Sequence, residues 1–498
     1  MIRLPRRALL AGAAAFALGV ASPALAAEPA PLRIGKTFLA GALDPAEGSA
    51  GWALVSHGIA EQLFMVSREG VVEPRLAESA VQEDDGAWIV TLADGRSFSD
   101  GSPVDAQAVA AALTRTSERN PAARASAGRL AFAPIDDRRL RVTSEEPTAI
   151  LPSILAEWVF PVYRETQAGI VFTGPYRVTA FEPGASLALE PNPHHEGAEA
   201  RVPIVLSRIA DGQSLALALR AGELDLAFNL PVETLGLVAA DPSLTVRSFP
   251  VAYQYMMWMN TREGPLADVR VRRAIDLALS REDLVRAIRG GIPATGAFAP
   301  TFPFAAEAPI ATDVEAARAL LEEAGWRPGS DGVRAKDGER LALSLVAYPQ
   351  RPDLVTLQPV IRAALAELGI AVTTQVTEDA NGVATSGDFD LLLWAQHTAP
   401  AGDPAHFLAL FFETGAARNY AGFSSEAYDA LVADLRATQD PAERVRLARA
   451  AQALIAEEAP VAFLVTPEWH VGLSARLAGY EPWGSDYYVI RPDLKPAD

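Results

Sequence analysis

Few residues in this 498-residue chain stand in a spacing that could do chemistry. His194, His195 and Glu196 form the one cluster that could hold a metal, since adjacent imidazoles and a carboxylate are ordinary metal ligands. Pro191, Asn192, Pro193 and Gly197 surround them with turn-forming residues, so a solvated surface turn is the expected setting. His57, His397, His406 and His470 are isolated and are expected to be packed or solvated. Among them His397 stands out. It follows the apolar run Phe389 to Trp394 and falls in a Thr/Ala/Pro/Gly segment, where α/β proteins place ligands. Arg418-Asn419-Tyr420 offers a guanidinium fork and an amide, suited to a ligand carboxylate; an exposed loop arginine is the competing reading. Tyr253 and Tyr255 share one face of an expected strand and, with Met256, Met257 and Met259, could line an aromatic pocket or simply fill a core. There is no Gly-rich phosphate loop, no Gly-x-Ser-x-Gly elbow and no His-Glu-x-x-His. The chain is therefore expected to be no enzyme, with no catalytic residue assigned and no cofactor.

The elements that must position these residues alternate between strand-like and helix-like patterns, which predicts an α/β fold. Trp88 to Leu92 reads as a strand closed by an Asp94-Gly95 turn, and Ser102-Pro103 as the start of a helix. After Asp268, the apolar positions Val271, Ala274, Ile275, Ala278 and Leu279 make one buried helical stripe. Ser280 caps the next helix, which should stop at Gly290-Gly291. Thr312 to Glu315 is a capping box for a helix ending at Gly325. Asp440-Pro441 opens a helix stopped by Pro460, and Val461 to Val465 reads as a buried strand.

The N-terminus dictates the compartment. Arg3, Arg6 and Arg7 precede a short apolar run, Ala8 to Val20, and Ala24-Leu25-Ala26 is a small-x-small cleavage signature, so residues 1–26 are expected to be a signal peptide. That run is too short to span a bilayer, which needs about 20 residues. The Arg6-Arg7 pair resembles a twin-arginine signal, and the periplasm is the expected location. The chain has no cysteine, which excludes disulfides, thiolate metal sites and a lipid-modified cysteine. Its net charge is −19, and loss of the three signal arginines makes it more acidic still, which excludes nucleic acid as a partner. Half the residues are hydrophobic, so a folded chain is expected. No linker or repeat divides it, so domain boundaries should be compact crossovers, the first near Phe249-Pro250 to Asn260 and the return near Tyr480 to Tyr488.

Several segments, in order, carry a resemblance. They are Leu43-Asp44-Pro45, Glu61-Gln62-Leu63-Phe64, Glu73 to Glu78, Phe98 to Ala106, Thr173 to Tyr176 and Ala221 to Asp225. Asn260 with Asp268 to Ala274, and Ala319 to Trp326, complete the series. The chain resembles the extracytoplasmic solute-binding proteins of family 5, which serve ATP-binding cassette importers. The resemblance implies a two-lobed periplasmic binding protein (type II, Venus-flytrap) with mixed sheets and a hinge between lobes. It places lobe I at 27–250 with an inserted subdomain near 50–165, lobe II at 251–470, and a return to lobe I at 471–498. It also implies a monomer that captures a small ligand and docks on permease subunits of the inner membrane.

Peptide receptors of the family place an Asp in the loop after the strand matched by Asp390 to Trp394. Here that position is Pro400, and nothing from Leu392 to Gly402 is acidic. Gly51-Trp52 to Phe64 and Ser485 to Ile490 look closer to nickel-type members. A nickel or other metal chelate is therefore the favoured ligand, with a dipeptide or oligopeptide as the alternative and a secreted hydrolase as the competing class. Tyr253, Tyr255, Trp394, His397, Arg418 and Asn419 are the ligand-binding set this implies, with His397 the one metal ligand.

Overall fold

The computed structural model describes residues 30–145, 148–349 and 351–497; the expected signal peptide, its arginine pair and the cleavage site lie outside them. Six strands open the chain's first sheet: β1 (Leu32–Lys36), β2 (Tyr176–Glu182), β3 (Ser186–Pro191), β4 (Ile204–Arg208), β5 (Leu226–Phe228) and β6 (Leu244–Pro250). A second sheet takes β7 (Tyr253–Met259), β8 (Ile292–Pro293), β9 (Ala342–Ala347), β10 (Ala371–Val376), β11 (Leu391–His397) and β12 (Val461–Thr466). The last strand, β13 (Glu468–Ser474), rejoins the first sheet. The first sheet has the order β2-β3-β4-β1-β5-β13-β6 and the second β8-β12-β7-β11-β9-β10.

Both sheets are mixed. β1 runs parallel to β4 and β5, whereas β13 is antiparallel to β5 and β6. In the second sheet β7 is antiparallel to β11 and β12, and β9 is parallel to β10 and β11. Strands covered on both faces must be apolar at every position rather than alternating. β7 and β12 show this: Met256 to Met259 and Val461 to Val465 are all buried. Trp258 stacks on Phe411 at 5.9 Å with their planes 6° apart, fixing a helix over the sheet.

The chain passes between sheets twice, at Val251-Ala252 and at Pro467. The two passages lie side by side, since Val251 N donates to Pro467 O at 3.0 Å. The return thus precedes residue 471 and also the Tyr480 to Tyr488 stretch, because Glu468 already pairs in the first sheet. Within the first lobe, Ala77–Gln82, Trp88–Leu92, Leu130–Pro134 and Arg139–Ser144 form a separate four-stranded antiparallel sheet. Its helix Ala106–Arg119 is tied back to the lobe by Arg115 Nη2 on Asp44 Oδ2 at 2.6 Å.

Local start signals and the helices that form agree at some positions and part at others. Ser280 caps its helix through its side chain as expected, and Asp268 and Asp440, where helices were expected to start, do the same. Ser102-Pro103 does not open a helix: Pro103 bridges Ser97, and Asp105 is the cap that accepts from Ala108 N at 2.8 Å. Asp313 rather than Thr312 caps Val314–Glu323, because the Thr312 hydroxyl is engaged by Leu279 O. Among the described residues no helix is long and apolar enough to cross a membrane.

Candidate functional site in the cleft between the sheets

Parallel strands release their chain at one edge, and that edge is where open α/β sheets gather ligand contacts. β1 ends there at Lys36, and β5 ends beside it at Phe228, followed by Asn229 in the left-handed region at φ +66°. Thr37 and Phe38 continue from β1, and the helix Ala50–Ser56 presents Trp52 to the same space. The two passages between sheets deliver Tyr253, the first residue of β7, and Trp469, near the start of β13. Arg351 reaches in from the start of the helix Pro352–Glu367, and Asp486 and Tyr487 from a 3₁₀ turn after β13. With Ser49 and Trp158 these residues enclose a cavity of about 420 Å³. Both lobes contribute to its wall.

Aromatic rings build that wall. Phe38 stacks on Trp52 at 4.3 Å, and Trp469 meets Phe228 at 6.0 Å and Tyr253 at 5.8 Å. Two cations stand over rings: Lys36 Nζ lies 5.3 Å from the centre of Phe228, and the Arg351 guanidinium 5.6 Å from that of Tyr253. Cations in this geometry are held by the ring quadrupole while keeping donors free for an anion.

The charges are held under tension by burial. Lys36 donates to Ser56 Oγ at 2.9 Å, and burial lowers its pKa to about 8 against the opposing pull of Asp486. Burial pushes Asp486 up to about 6, offset in part by the Lys36 charge. Trp52 Nε1–H, buried like Asp486 Oδ1, acts on the Asp486 carboxylate and with Lys36 opposes that rise. Ser56 is wholly buried and does not border the cavity, so the Ser56–Lys36 pair is not presented to a guest as a nucleophile.

The family model for bacterial extracellular solute-binding proteins, family 5, middle region, matches residues 71–419. The chain belongs to the bacterial extracellular solute-binding proteins of family 5. Glutathione-binding protein GsiB of Escherichia coli (strain K12) is 27% identical, over 95% of this chain and 96% of that protein. Among solved structures, a nickel ABC transporter protein from Bacillus halodurans superposes with a TM-score of 0.82 at 27% identity, covering 93% of this chain and 98% of that one. NikA from Brucella suis in complex with Fe(III)-EDTA gives a TM-score of 0.83 at 22% identity, covering 94% and 100%, a likeness of fold. This family 5 protein is thus the substrate-binding component of an ATP-binding cassette importer, with the two-lobed mixed α/β architecture of its group.

Of the six residues singled out from the sequence, the structure brings only Tyr253 to the cavity wall. Tyr255 lies two residues further along the same face, away from the cavity, and donates to Asp353 Oδ2 at 2.8 Å. Trp394 is buried between Tyr348 and Tyr420, at 5.6 and 5.3 Å. His397 ends β11 rather than lying in a loop, and is buried behind Tyr253 with its pKa lowered to about 3 by desolvation. Asn419 is spent on its own turn, bonding Glu413 O, Phe423 O and Phe423 N. Arg418 is exposed on the same turn, over Phe411. The expected solvated turn at His194-His195 is only half so. His194 is exposed, but His195 is buried, with Nε2 3.1 Å from Glu61 Oε1 and Nδ1 3.2 Å from Arg201 Nη2. Among the described residues no group of three or more His, Cys, Asp or Glu side chains could hold a metal.

Sequence reasoning missed Lys36, Trp52, Arg351, Trp469 and Asp486. One signal was available: Lys36 is one of three lysines in the chain and follows Ile34-Gly35 in a short strand, an unfavourable place for an unneeded charge. Trp52 and Asp486 lie within segments already quoted for their likeness to nickel-type members, but nothing at residue level marked them.

Proposed function

We propose that the solute is a small molecule bearing one or more carboxylates, of the size of a short peptide, held in the Tyr253 cleft for delivery to the membrane permease. The observation that carries this reading is the cavity of about 420 Å³ walled by aromatic rings and supplied with two cations, Lys36 and Arg351. Pockets of this volume suit small ligands, and a few placed polar groups among apolar walls fix their orientation. A guanidinium and an ammonium that already sit over rings can each accept a carboxylate with little further ordering. Glutathione is the first compound to test, given the name of the 27% identical relatives.

A nickel or other metal chelate is the second reading. It is supported by the equally similar nickel ABC transporter protein, and by the same two cations, which suit an anionic chelate shell. His397, the nitrogen expected to touch the metal, is buried against the Tyr253 and Tyr487 rings and does not border the cavity. In either reading the protein binds its guest without converting it, works as a monomer in the periplasm, and is exported through the twin-arginine route.

Isothermal titration of the purified mature protein with glutathione, dialanine and nickel(II)–histidine tests the proposal. At least one should bind near micromolar, about −8 kcal/mol, and Trp52→Ala or Tyr253→Ala should weaken it at least about tenfold through lost aromatic contact. Binding indifferent to both substitutions would place the solute elsewhere.

A further inference from the structure

The first lobe carries a second cavity that shares no lining residue with the cleft. It holds about 280 Å³, and Val55, Met65, Pro175, Trp483, Tyr488 and Ile490 give it apolar and aromatic walls. The Trp483 and Tyr488 rings stand 5.3 Å apart with their planes at 56°. Glu61 and Arg75 also border it.

The charge at the Glu61 side does not balance. Arg75 donates through Nε and Nη2 to Glu61 Oε1, and its Nη1 has no hydrogen bond among the described residues. His195 links the same Glu61 oxygen, 3.1 Å from its Nε2, to a second guanidinium, with Arg201 Nη2 3.2 Å from its Nδ1. Arg201 is 6% exposed, and its Nη1 is buried without a partner, as is the hydroxyl of neighbouring Tyr176. Two guanidiniums thus share one buried carboxylate, since Glu199, the other acid near Arg201, stands in solvent. Arg491 adds nothing to the surplus, because Asp493 pairs with it at 3.0 Å. A desolvated cation in excess is costly until an anion approaches, and a guanidinium with a free edge suits a carboxylate.

We propose that this cavity is a second small-molecule site, taking a compact aromatic monocarboxylate whose ring lies against Trp483 and Tyr488 and whose carboxylate meets Arg75. Its walls belong to elements that also shape the cleft. The helix Ala50–Ser56 lends Trp52 to the cleft and Val55 to this cavity, and the turn Asp486–Tyr488 lends Asp486 and Tyr487 to one and Tyr488 to the other. Ile490 N donates to Ser56 O at 3.0 Å and fastens the two elements together. Tyr488 Oη accepts from Val66 N and Trp483 Nε1 donates to Val66 O, each at 3.2 Å. Val66 leads into the hairpin tip at Gly70, which meets Phe302 of the second lobe. A guest in this cavity packs on the elements that form the cleft wall and the seam between lobes.

Calorimetry of the full mature chain with 3-phenylpropionate and with 3-phenylpropionamide tests the proposal. The acid should bind, and the amide should bind about tenfold or more weakly, the usual scale for a lost charged hydrogen bond. Binding of the acid should persist within about twofold in Trp52→Ala, which strips the cleft wall, and should vanish in Met65→Trp, which fills the cavity. In Arg75→Gln the acid and the amide should differ by less than about threefold. Equal binding of acid and amide to the wild type overturns the proposal, as does no saturable binding of the acid below about 1 mM. Loss of binding in Trp52→Ala moves the guest to the cleft, and binding untouched by Met65→Trp moves it elsewhere; either result overturns the site. Thermal unfolding shows whether each variant is folded, and should Arg75→Gln fail to fold, the wild-type contrast between acid and amide with Met65→Trp still decides.

Discussion

His397 lies face to face with Tyr487, their ring centroids 5.4 Å apart and their planes within 15° of parallel. The stack joins the end of β11 in one lobe to the C-terminal turn of the other, and Tyr253 closes a third side at 5.1 Å. Both imidazole nitrogens are buried without a hydrogen-bond partner, and burial lowers the pKa to about 3. The ring serves the seam between lobes as an apolar plate. His397→Phe should therefore keep solute affinity within about threefold and leave stability equal or up to about 1–3 kcal/mol higher, as two unsatisfied polar atoms are removed. Calorimetry and thermal unfolding check this; a large loss of nickel(II)–histidine binding would instead return His397 to the site.

Tyr253 is the sequence-predicted residue that meets the cavity, and its contribution is its ring rather than its hydroxyl. Burial pushes its pKa up to about 12, so it stays neutral. Tyr253→Phe should bind almost as the wild type, whereas Tyr253→Ala, which also removes the platform under Arg351, should cost about 1–3 kcal/mol of binding. Titration of the two variants with the same solute separates ring from hydroxyl.

Solute affinity should have a pH optimum set from both sides of the cleft. Asp486 must be ionised to accept a donor, and with its pKa raised to about 6 that form is lost as pH falls through 6. Lys36 must be protonated, and with its pKa lowered to about 8 its charge is lost as pH rises through 8. Tyr253, Tyr487 and His57 face the same groups but stay neutral across this range. The empty protein should behave oppositely on the acid side. Because the folded state binds the Asp486 proton more tightly than the unfolded chain does, raising the pH from about 4 to 6 lowers that group's contribution to stability. Affinity measured from pH 5 to 9, with Asp486→Asn lacking the acid limb, checks that both groups act on the solute.

Asp403 and Arg444 make a buried ion pair at 2.5 Å behind the β11 loop, and burial raises the Asp403 pKa while Arg444 opposes that rise. Arg444 also bonds Leu435 O and Thr438 O, so one side chain ties the loop to the turn between two helices. Arg444→Met strands the carboxylate and should cost about 3–5 kcal/mol. Asp403→Asn with Arg444→Met should recover part of that loss. Chemical denaturation of the single and double variants measures both.

Gly70 sits at the tip of a hairpin in the first lobe with φ +73°, and a Cβ there would come within 2.5 Å of Phe302 Cδ1 in the second. Gly70→Ala should hold the lobes slightly apart at this point as well as strain the turn. Solute affinity should drop while the secondary structure is unchanged, and small-angle scattering should show a larger radius with solute present than the wild type gives. An unchanged affinity would mean that the lobes do not need this contact.

Local pattern was enough to read much of the fold. The caps at Asp268, Ser280 and Asp440, the buried stripe from Val271 to Leu279 and the apolar strand Val461–Thr466 all rest on interactions within a few residues, and such signals survive in a linear sequence. The α/β class and family 5 membership were legible for the same reason, spread over many short segments in order. Tertiary structure alone decided the site. Alternation put Tyr253 and Tyr255 on one face, but only the edge of the sheet distinguishes a residue at the cavity from one sealed by Asp353. Lys36 and Asp486 are separated by most of the chain and meet because the chain crosses between sheets at Val251-Ala252 and returns at Pro467. A charge becomes a binding group by losing water in the right company. That company is set by which strands end at the same edge, which no local pattern of residues encodes.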